Sequence, residues 1–277
     1  MVSLNPNRSP YFGDTGRNTV TYSQEQLAKF QTDSHQAMTD LLELMFRGGI
    51  ECQDPPNDHV RRFLAHGVGR RLSILKRSIE EIFTIFPPDR EAPLSNDEAV
   101  SLQIHLHAFL INLAGVFDNW AWAFVHRHGL RPDLHSTQIS IFKEETRQYL
   151  PQPILDVLGE HDIGTWHSEY AKEYRDALAH RIAPYVPPAS LTEEEIDRHH
   201  ELQEVRDSAI AEFDLNADEA ARNEQLQHGT ASPFFVHDVN PDAEGEMVGL
   251  HGQLLIDILT VIAFGNVFYE SWHERAD

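Results

Sequence analysis

The stretch from Ser95 to Gly129 constrains the fold of this chain more than any other part of its sequence. Ser95 and Glu98 have the spacing of a capping box and Gly129 follows the last apolar turn, so the stretch is bounded like one long helix. Its large apolar residues are Val100, Leu102, Ile104, Leu106, Phe109, Leu110, Leu113, Val116, Phe117, Trp120 and Phe124. Because they cover more than one face, we expect this helix to lie in the centre of a helical bundle.

Helical periodicity also marks most of the remaining chain. The spacing of apolar residues predicts helices over 23–47, 58–86, 162–182 and 247–273, with shorter helical pieces at 139–150 and 153–159. Strand patterns are nearly absent, apart from a short apolar stretch at 233–238 that fits one strand or an extended plug. We therefore predict an all-α fold, a helical bundle of about five or six helices. Residues 1–22 are predicted to form an irregular N-terminal arm, and residues 23–277 a single helical domain.

Acidic side chains are concentrated in residues 191–228, which contain 12 acids and 3 bases. We predict that residues 191–246 form an acidic insertion that is mostly helical and solvated. The whole chain has 44 acidic and 22 basic side chains, for a formal charge of −22. A field of that sign repels phosphate, so binding of nucleic acid requires a local concentration of basic side chains. We expect no DNA partner.

Little in the sequence indicates a membrane or an oxidising compartment. The most apolar windows, 106–117 and 254–264, are shorter than the roughly 20 residues of a membrane span. The N-terminal residues contain no apolar run of signal-peptide length. Cys52 is the only cysteine, which excludes an internal disulfide and fits a reducing compartment. We therefore expect a cytoplasmic protein without a membrane partner.

The segment EYRDALAHRIAPYVPP, residues 173–188, places Arg175 and His180 near the end of a predicted helix. Similar arginine–histidine spacings occur at 61–66, where a second arginine follows the first, and at 222–228, inside the acidic segment. Positions five apart lie about 140° apart around a helix, so Arg175 and His180 do not share a face. Asp176 does share a face with His180 and is placed to hold one imidazole nitrogen. Arg175 then reaches a common site by its length, or meets the histidine of a second copy across a two-fold axis.

An arginine, a variable polar residue and a histidine near a helix end, in an all-helical chain, resemble the motif of the HEPN superfamily. Arg175, Asp176 and His180 match that motif, and the resemblance covers about 25 residues plus the helical class. HEPN proteins are helical bundles and usually dimeric. Many are metal-independent ribonucleases of toxin–antitoxin, abortive-infection and CRISPR-type defence systems, and others have lost activity.

The resemblance implies cleavage of RNA by attack of its own 2′-hydroxyl group. That hydroxyl loses a proton, the departing 5′-oxygen gains one, and charge builds on the phosphoryl oxygens. His180 would transfer protons, Arg175 would bind the phosphoryl oxygens and Asp176 would orient the histidine, with no metal or other cofactor. The implied partners are a second copy of the chain, an RNA substrate and a protein such as an antitoxin. The alternatives are a non-catalytic module of this family that binds a nucleotide, RNA or a protein, and a purely structural helix end.

A second group of basic residues lies in the predicted helix 58–86. His66, Arg70 and Arg77 form one stripe at positions i, i+4 and i+11, which indicates a surface that contacts phosphate. The alternative is that this stripe pairs with the acidic segment, which could also cover the site as an intramolecular guard. Arg181, at the end of the motif helix, is a further candidate for phosphate binding.

Asp118 and Asn119 interrupt the apolar central helix and are candidates for a polar group that positions Arg175. Histidines separated by one residue, as at 105–107 and 126–128, point in different directions on a helix and cannot chelate one ion there. No pair of Glu-x-x-His motifs, phosphate loop, dinucleotide fingerprint or zinc-finger spacing occurs. We therefore predict no metal site.

Overall fold

The computed structural model describes residues 22–160, 162–237 and 246–276, so nearly all of the predicted N-terminal arm lies outside the described residues. The helices are α1 (Gln24–Glu51), α2 (Asp58–Arg61, Arg62–Gly69 and Arg70–Ile85 in unbroken succession), α3 (Asn96–Arg127), α4 (Gln152–Glu160), α5 (Ile163–Trp166, His167–Ala171 and Lys172–His180), α6 (Glu193–Ala211), α7 (Leu215–Gln225) and α8 (Leu250–Ser271). Short helical turns at Ser136–Gln138 and Glu144–Arg147 lie between α3 and α4. The strands are β1 (Phe234–His237) and β2 (Glu246–Gly249). The predicted all-α class is confirmed.

Helix α3 begins where its cap predicts and runs through the core. The Ser95 side chain accepts a hydrogen bond from the Glu98 backbone N–H at 3.3 Å, and Glu98 Oε2 accepts from the Ser95 backbone N–H at 2.8 Å. Fourteen of its residues are buried, from Leu102 to Val125. The prediction that α3 is a central helix is therefore confirmed.

Helix α8 is the other deeply buried helix and packs closely against α1 and α3. The Phe264 ring lies 5.0 Å from the Phe117 ring and 5.4 Å from the Trp120 ring, measured between centroids. At Gly265 a Cβ atom would lie 2.8 Å from the Leu44 methyl carbons and 3.0 Å from Trp120, so only glycine permits this approach. The buried hydrophobic residues form one cluster that extends along the chain from α1 to the residue after α8.

Helices α3 and α8 are both long and apolar enough to cross a membrane, by length and composition alone. The expectation that the apolar stretches are too short to do so is therefore wrong, because each helix continues beyond its most apolar residues. In their most apolar 18-residue windows, 50% of the α3 residues and 78% of the α8 residues are buried inside the protein. Core helices of this kind pass the same test, so the finding is weak evidence for a membrane span.

The acidic insertion is mostly helical, as predicted. Helices α6 and α7 pack against each other as a hairpin, and the Arg198–Glu224 and Arg206–Asp218 ion pairs, at 2.5 and 2.8 Å, connect them. The predicted strand at 233–238 is β1, which pairs antiparallel with β2 in the register Phe234–Gly249. Ser190 and Thr230 lie on either side of the hairpin in the chain. Each donates a backbone hydrogen bond to the other, at 2.7 and 2.9 Å, which closes the base of the hairpin.

Two helices contain π-helical segments, which the periodicity did not predict. In α2 the segment is Arg62–Gly69, and in α5 it is His167–Ala171. A π-helical turn rotates the side chains that follow it relative to a regular helix, and such turns are frequent at functional sites. Both segments lie beside the basic cavities described next.

Candidate functional site

Arg175 lines a cavity of about 640 Å³, which we call the Arg175 cavity. The side chain is half-buried on α5, and its Nε and Nη2 atoms donate to Asp176 Oδ1 at 3.1 and 2.9 Å. Lys172 Nζ lies 3.2 Å from the other carboxylate oxygen of Asp176. Burial raises the pKa of Asp176, but the hydrogen bonds from Arg175 and Lys172 outweigh this effect and hold the pKa below its usual value. Asp176 therefore fixes the position of the Arg175 guanidinium group.

The Arg175 cavity is strongly basic for so acidic a chain. Lys143, Arg147 and Lys172 line it together with Arg175, and Asp118 is the only carboxylate among its described lining residues. Lys143 donates to the Thr137 carbonyl group, and no carboxylate of the described chain pairs with Lys143 or Arg147. Local positive charge in a low-dielectric recess is the condition under which a chain of net charge −22 can hold a phosphate.

His167 is a cavity residue that the sequence analysis did not identify. Its ring stacks on the Phe142 ring at 3.6 Å between centroids, with the two planes 12° apart. Burial, together with the charges of Arg175 and Lys172, lowers the pKa of His167 to about 4, so the ring is neutral at pH 7. In a regular helix, positions 167 and 175 lie about 80° apart around the axis, so the sequence places His167 on roughly the same side of the helix as Arg175. No other feature of the sequence distinguished this histidine from the remaining ones.

His180 lies outside the Arg175 cavity. It is exposed at the last turn of α5, and Asp176 contacts Arg175 and Lys172 instead of it. The predicted hydrogen bond between Asp176 and His180 is therefore not formed within the described chain, because the carboxylate binds the two neighbouring cations. Arg181 Nη2 donates to the Glu173 carboxylate at 2.7 Å and lines neither basic cavity, so the structure does not support its predicted phosphate contact.

Asp118 lies in the same cavity as Arg175, where the central helix passes behind it. The two side chains are not within ion-pair distance, and the nearest described donor to Asp118 is Ser140 Oγ at 3.5 Å. Burial raises the pKa of Asp118 above its usual value, and the charges of Arg175 and Arg71 oppose this shift only in part. Asp118 therefore interacts electrostatically with both arginines and does not bind Arg175 directly.

Asn119 faces a second basic cavity, of about 630 Å³, which we call the Arg71 cavity. Arg71 Nε donates to Asn119 Oδ1 at 3.0 Å, and Arg71 Nη1 donates to Asn112 Oδ1 at 2.9 Å. Burial lowers the pKa of Arg71. At Gly115 a Cβ atom would lie 2.5 Å from the guanidinium carbon of Arg71, so a glycine is required for this approach. Asn119 therefore positions Arg71 rather than Arg175.

The predicted stripe on α2 is only partly brought together. His66 and Arg70 line the Arg71 cavity, and Arg62 is a further lining residue that the sequence analysis did not select. Arg77 instead pairs with Glu81 and is not among the residues that line this cavity, so its predicted phosphate contact is not supported.

The acidic insertion does not cover either basic cavity. Arg198 and Arg206 of α6 pair with acidic residues of the insertion itself, and the base of the hairpin packs near Leu94 and Asn96, at the start of α3. The alternatives in which the insertion pairs with the α2 stripe or guards it are therefore wrong for the described residues. Arg198 and Arg206 form their described ion pairs within the insertion, and none of its described carboxylates pairs with a basic side chain of α2.

Within the described ranges, no group of three histidine, cysteine, aspartate or glutamate side chains converges in a way that could hold a metal ion. Two His-Asp dipeptides also occur in the sequence, at 161–162 and 237–238, and each includes one residue outside those ranges. No protein-family model, curated protein or solved structure matches this chain.

Proposed function

We propose that this protein is a metal-independent endoribonuclease that cleaves RNA by attack of the 2′-hydroxyl group, with the scissile phosphate bound in the Arg175 cavity. One observation supports the proposal above the others. The arginine of the HEPN-like motif lines a cavity with three other basic side chains and one described carboxylate, in a chain of net charge −22. Preorganised cations aimed at a phosphoryl group are the main requirement for stabilising the charge that develops during this reaction.

Each motif residue has a role in this proposal. Arg175, fixed by Asp176, binds the non-bridging oxygens of the phosphate, with Lys172 beside it. The nucleophilic 2′-oxygen gives up its proton and forms the bond to phosphorus, while the bond to the 5′-oxygen breaks and that oxygen takes up a proton. His180 is the proton-transfer residue. It is exposed outside the cavity of its own protomer, so it must reach the site from a second protomer.

Exposed apolar side chains beside His180 support a symmetric dimer. Ile182 and Tyr185 are 59% and 45% exposed, and Val100 and Ile104 on α3 are each 60% exposed. The segment after α5 lies against α3, since the Val186 backbone N–H donates to the Gln103 side chain at 3.2 Å. Exposed apolar side chains of this kind are typical of a protein–protein contact. We propose that the two-fold contact forms here, next to the histidine.

The proposal is tested by incubating the purified protein with structured RNA in EDTA. Arg175→Ala and His180→Ala are each expected to lower the cleavage rate by about 100-fold or more. His167→Ala tests whether the neutral histidine in the cavity takes the place of His180. Arg47→Ala, whose ion pair with Glu270 lies elsewhere, is the matched control and is expected to leave the rate unchanged. Cleavage that survives both motif substitutions contradicts the proposal.

Mixing the two inactive variants tests the role of the second protomer. If a site takes Arg175 from one protomer and His180 from the other, a mixture of Arg175→Ala and His180→Ala protomers regains roughly a quarter of the activity through mixed dimers. If both residues act within one protomer, no activity returns.

The second candidate function is a non-catalytic module that binds RNA, a nucleotide or a protein partner such as an antitoxin. The exposed position of His180 favours it, because the described protomer holds no histidine other than His167 at the Arg175 cavity. Binding of RNA that is weakened by Arg175→Ala, without cleavage of any RNA by the wild type, would establish this function instead.

A further inference from the structure

The Arg71 cavity has the properties of a second phosphate site, and the proposed ribonuclease reaction does not use it. Arg62, Arg70 and Arg71 line it, with no carboxylate among its described lining residues. The ion pairs of α2 involve Arg61, Lys76 and Arg77, and no described carboxylate pairs with Arg62 or Arg70. Arg71 is held by two neutral amides, and Asp118 is the carboxylate whose charge acts on it. Three arginines around one cavity, none of them in a described ion pair, favour the binding of an anion.

A cluster of stacked rings, Phe63, Trp122 and His126, borders both basic cavities. Phe63 lines the Arg71 cavity and Trp122 lines the Arg175 cavity, and their ring centroids are 5.3 Å apart with planes 13° apart. Both rings are only partly buried. The Arg131 guanidinium carbon lies 5.4 Å from the centre of the Trp122 ring. A half-exposed ring stack flanked by cations is the kind of surface on which a nucleobase stacks.

The two cavities also flank the same turn of α3. Asp118 and Trp122 line one cavity and Asn119 lines the other, and five consecutive positions of a helix rise only about 6 Å. The charges of Arg175 and Arg71 both act on Asp118. The two anion sites are therefore close enough for neighbouring parts of one extended chain of phosphates to occupy both.

We propose that a single-stranded segment of RNA lies across both cavities, with phosphates in the Arg175 and Arg71 cavities and a base stacked at the Phe63–Trp122 rings between them. This inference rests on the proposed function and names its substrate class. Single-stranded RNA is favoured over a duplex because only unpaired bases can leave their own stack and pack on protein rings. Single-stranded RNA is also favoured over an acidic protein, because RNA supplies bases that stack on the rings as well as negative charges, whereas carboxylates supply only the charges.

The test measures equilibrium binding to an RNA that cannot be cleaved. A fluorescein-labelled 2′-O-methyl oligonucleotide of roughly 12 residues lacks the nucleophilic hydroxyl, so its binding is independent of catalysis. Fluorescence anisotropy in EDTA compares the wild-type protein with Arg62→Ala/Arg70→Ala and with Phe63→Leu. The control is Arg47→Ala/Lys76→Ala, which removes two cations that are ion-paired outside both cavities. Circular dichroism verifies that each variant is folded.

We expect the Arg62→Ala/Arg70→Ala and Phe63→Leu variants each to bind the single strand at least about tenfold more weakly, while the control binds like the wild type. A duplex of the same sequence is expected to bind more weakly than the single strand. Unchanged affinity in both cavity variants, or tighter binding of the duplex, overturns the inference. Binding of polyglutamate that depends on Arg62 and Arg70, without binding of the RNA, also overturns the inference. The cleavage assay of Arg175→Ala and His180→Ala judges the proposed function separately, so the two failures are distinguishable.

Discussion

At the scale of single residues, the site depends on groups that hold arginines in place. Asp176 fixes Arg175, and Asn119 with Asn112 fixes Arg71. An arginine held by a planar acceptor keeps its fork of N–H donors oriented, and less conformational entropy is lost when a phosphate binds. These neighbours determine what the two arginines can do, although they touch no ligand themselves.

Gly115→Ala is predicted to destabilise the protein and to displace Arg71, because its Cβ would meet the guanidinium group at 2.5 Å. We expect a loss of about 1 to 3 kcal/mol in the free energy of unfolding, measured by urea titration. Gly49→Ala is the matched control, since a Cβ there meets nothing within 4 Å in α1. The control is expected to be neutral or slightly stabilising. Equal effects of the two substitutions would show that the approach of Arg71 is not tight.

Asp257→Asn is predicted to change how stability depends on pH. Asp257 is fully buried in α8, where its Oδ1 accepts from Trp166 at 2.8 Å and from Gln253 at 2.7 Å, and burial raises its pKa to about 7. A raised pKa means that the folded state binds a proton that the unfolded state releases above pH of about 4. The contribution of Asp257 to the free energy of unfolding of the wild type is therefore fully present below pH of about 4, and it is lost as the pH rises to about 7.

The asparagine variant lacks this loss, so its stability relative to the wild type should rise between pH 4 and 8, by on the order of 3 to 4 kcal/mol. The quantity to compare is the difference in free energy of unfolding between the variant and the wild type at each pH, because a second buried group also titrates. Burial lowers the pKa of His251 to about 4, which makes stability rise with pH over part of the same range. A difference between variant and wild type that does not change with pH would show that Asp257 does not titrate in this window.

At the scale of elements, α2, α3 and α5 build the site while the α6–α7 hairpin stays apart from it. The two π-helical segments lie in the helices that border the cavities, and they carry His66 in α2 and His167 in α5. The described ion pairs of its arginines Arg198 and Arg206 instead lie within the hairpin, and the hairpin rejoins the rest of the chain at the Ser190–Thr230 pair. The hairpin is therefore an element that can be removed without cutting through the site.

Replacing residues 191–229 by Asn-Gly is predicted to give a folded protein that binds RNA more tightly. Ser190 and Thr230 already exchange both backbone hydrogen bonds, and a two-residue turn of this type closes such a pair. The deleted segment contains 12 acids and 3 bases, so its removal weakens the repulsion of phosphate. We expect a severalfold lower Kd at low salt and no difference at high salt, where the charges are screened. Weaker binding at low salt would instead mean that the hairpin contacts RNA.

At the scale of the whole molecule, a chain of net charge −22 concentrates seven basic side chains around two cavities. Its overall field disfavours approach of any polyanion, while the local field of the cavities favours a few phosphates in defined positions. Such a molecule should discriminate strongly between an RNA segment that fits the cavities and nucleic acid in general.

The salt dependence of RNA binding is predicted to be that of a small site. Each phosphate neutralised on a single strand contributes about −0.7 to the slope of log affinity against log salt concentration. Seven cationic side chains therefore limit the slope to roughly −5, and we expect −3 to −5 by anisotropy titrations. Duplex DNA of the same length should show no binding at 150 mM salt, on the order of the physiological ionic strength. A steeper slope would place further phosphate contacts outside the two cavities.

The sequence by itself determined the helical class, the central position of α3, the helical acidic insertion and the choice of Arg175 as a residue of interest. These follow from local rules, since helix caps and the spacing of apolar residues act within a few turns of the chain. The same rules also made Asp176 a partner of His180, and this was wrong. A carboxylate is bound by the nearest available cations, and here the side chains of Arg175 and Lys172 reach it first.

Only the tertiary structure decided which side chains share a cavity. Lys143 lies before α4 whereas His167 and Arg175 lie on α5, and Arg71 reaches Asn119 across 48 positions of the chain. Their meeting depends on how the helices pack and on π-helical turns that alter the direction of the side chains after them. Neither effect leaves a periodic signal in the sequence. The sequence selected Arg175, His66 and Arg70, and the packing around α3 decided which further basic side chains line the same cavities as these residues.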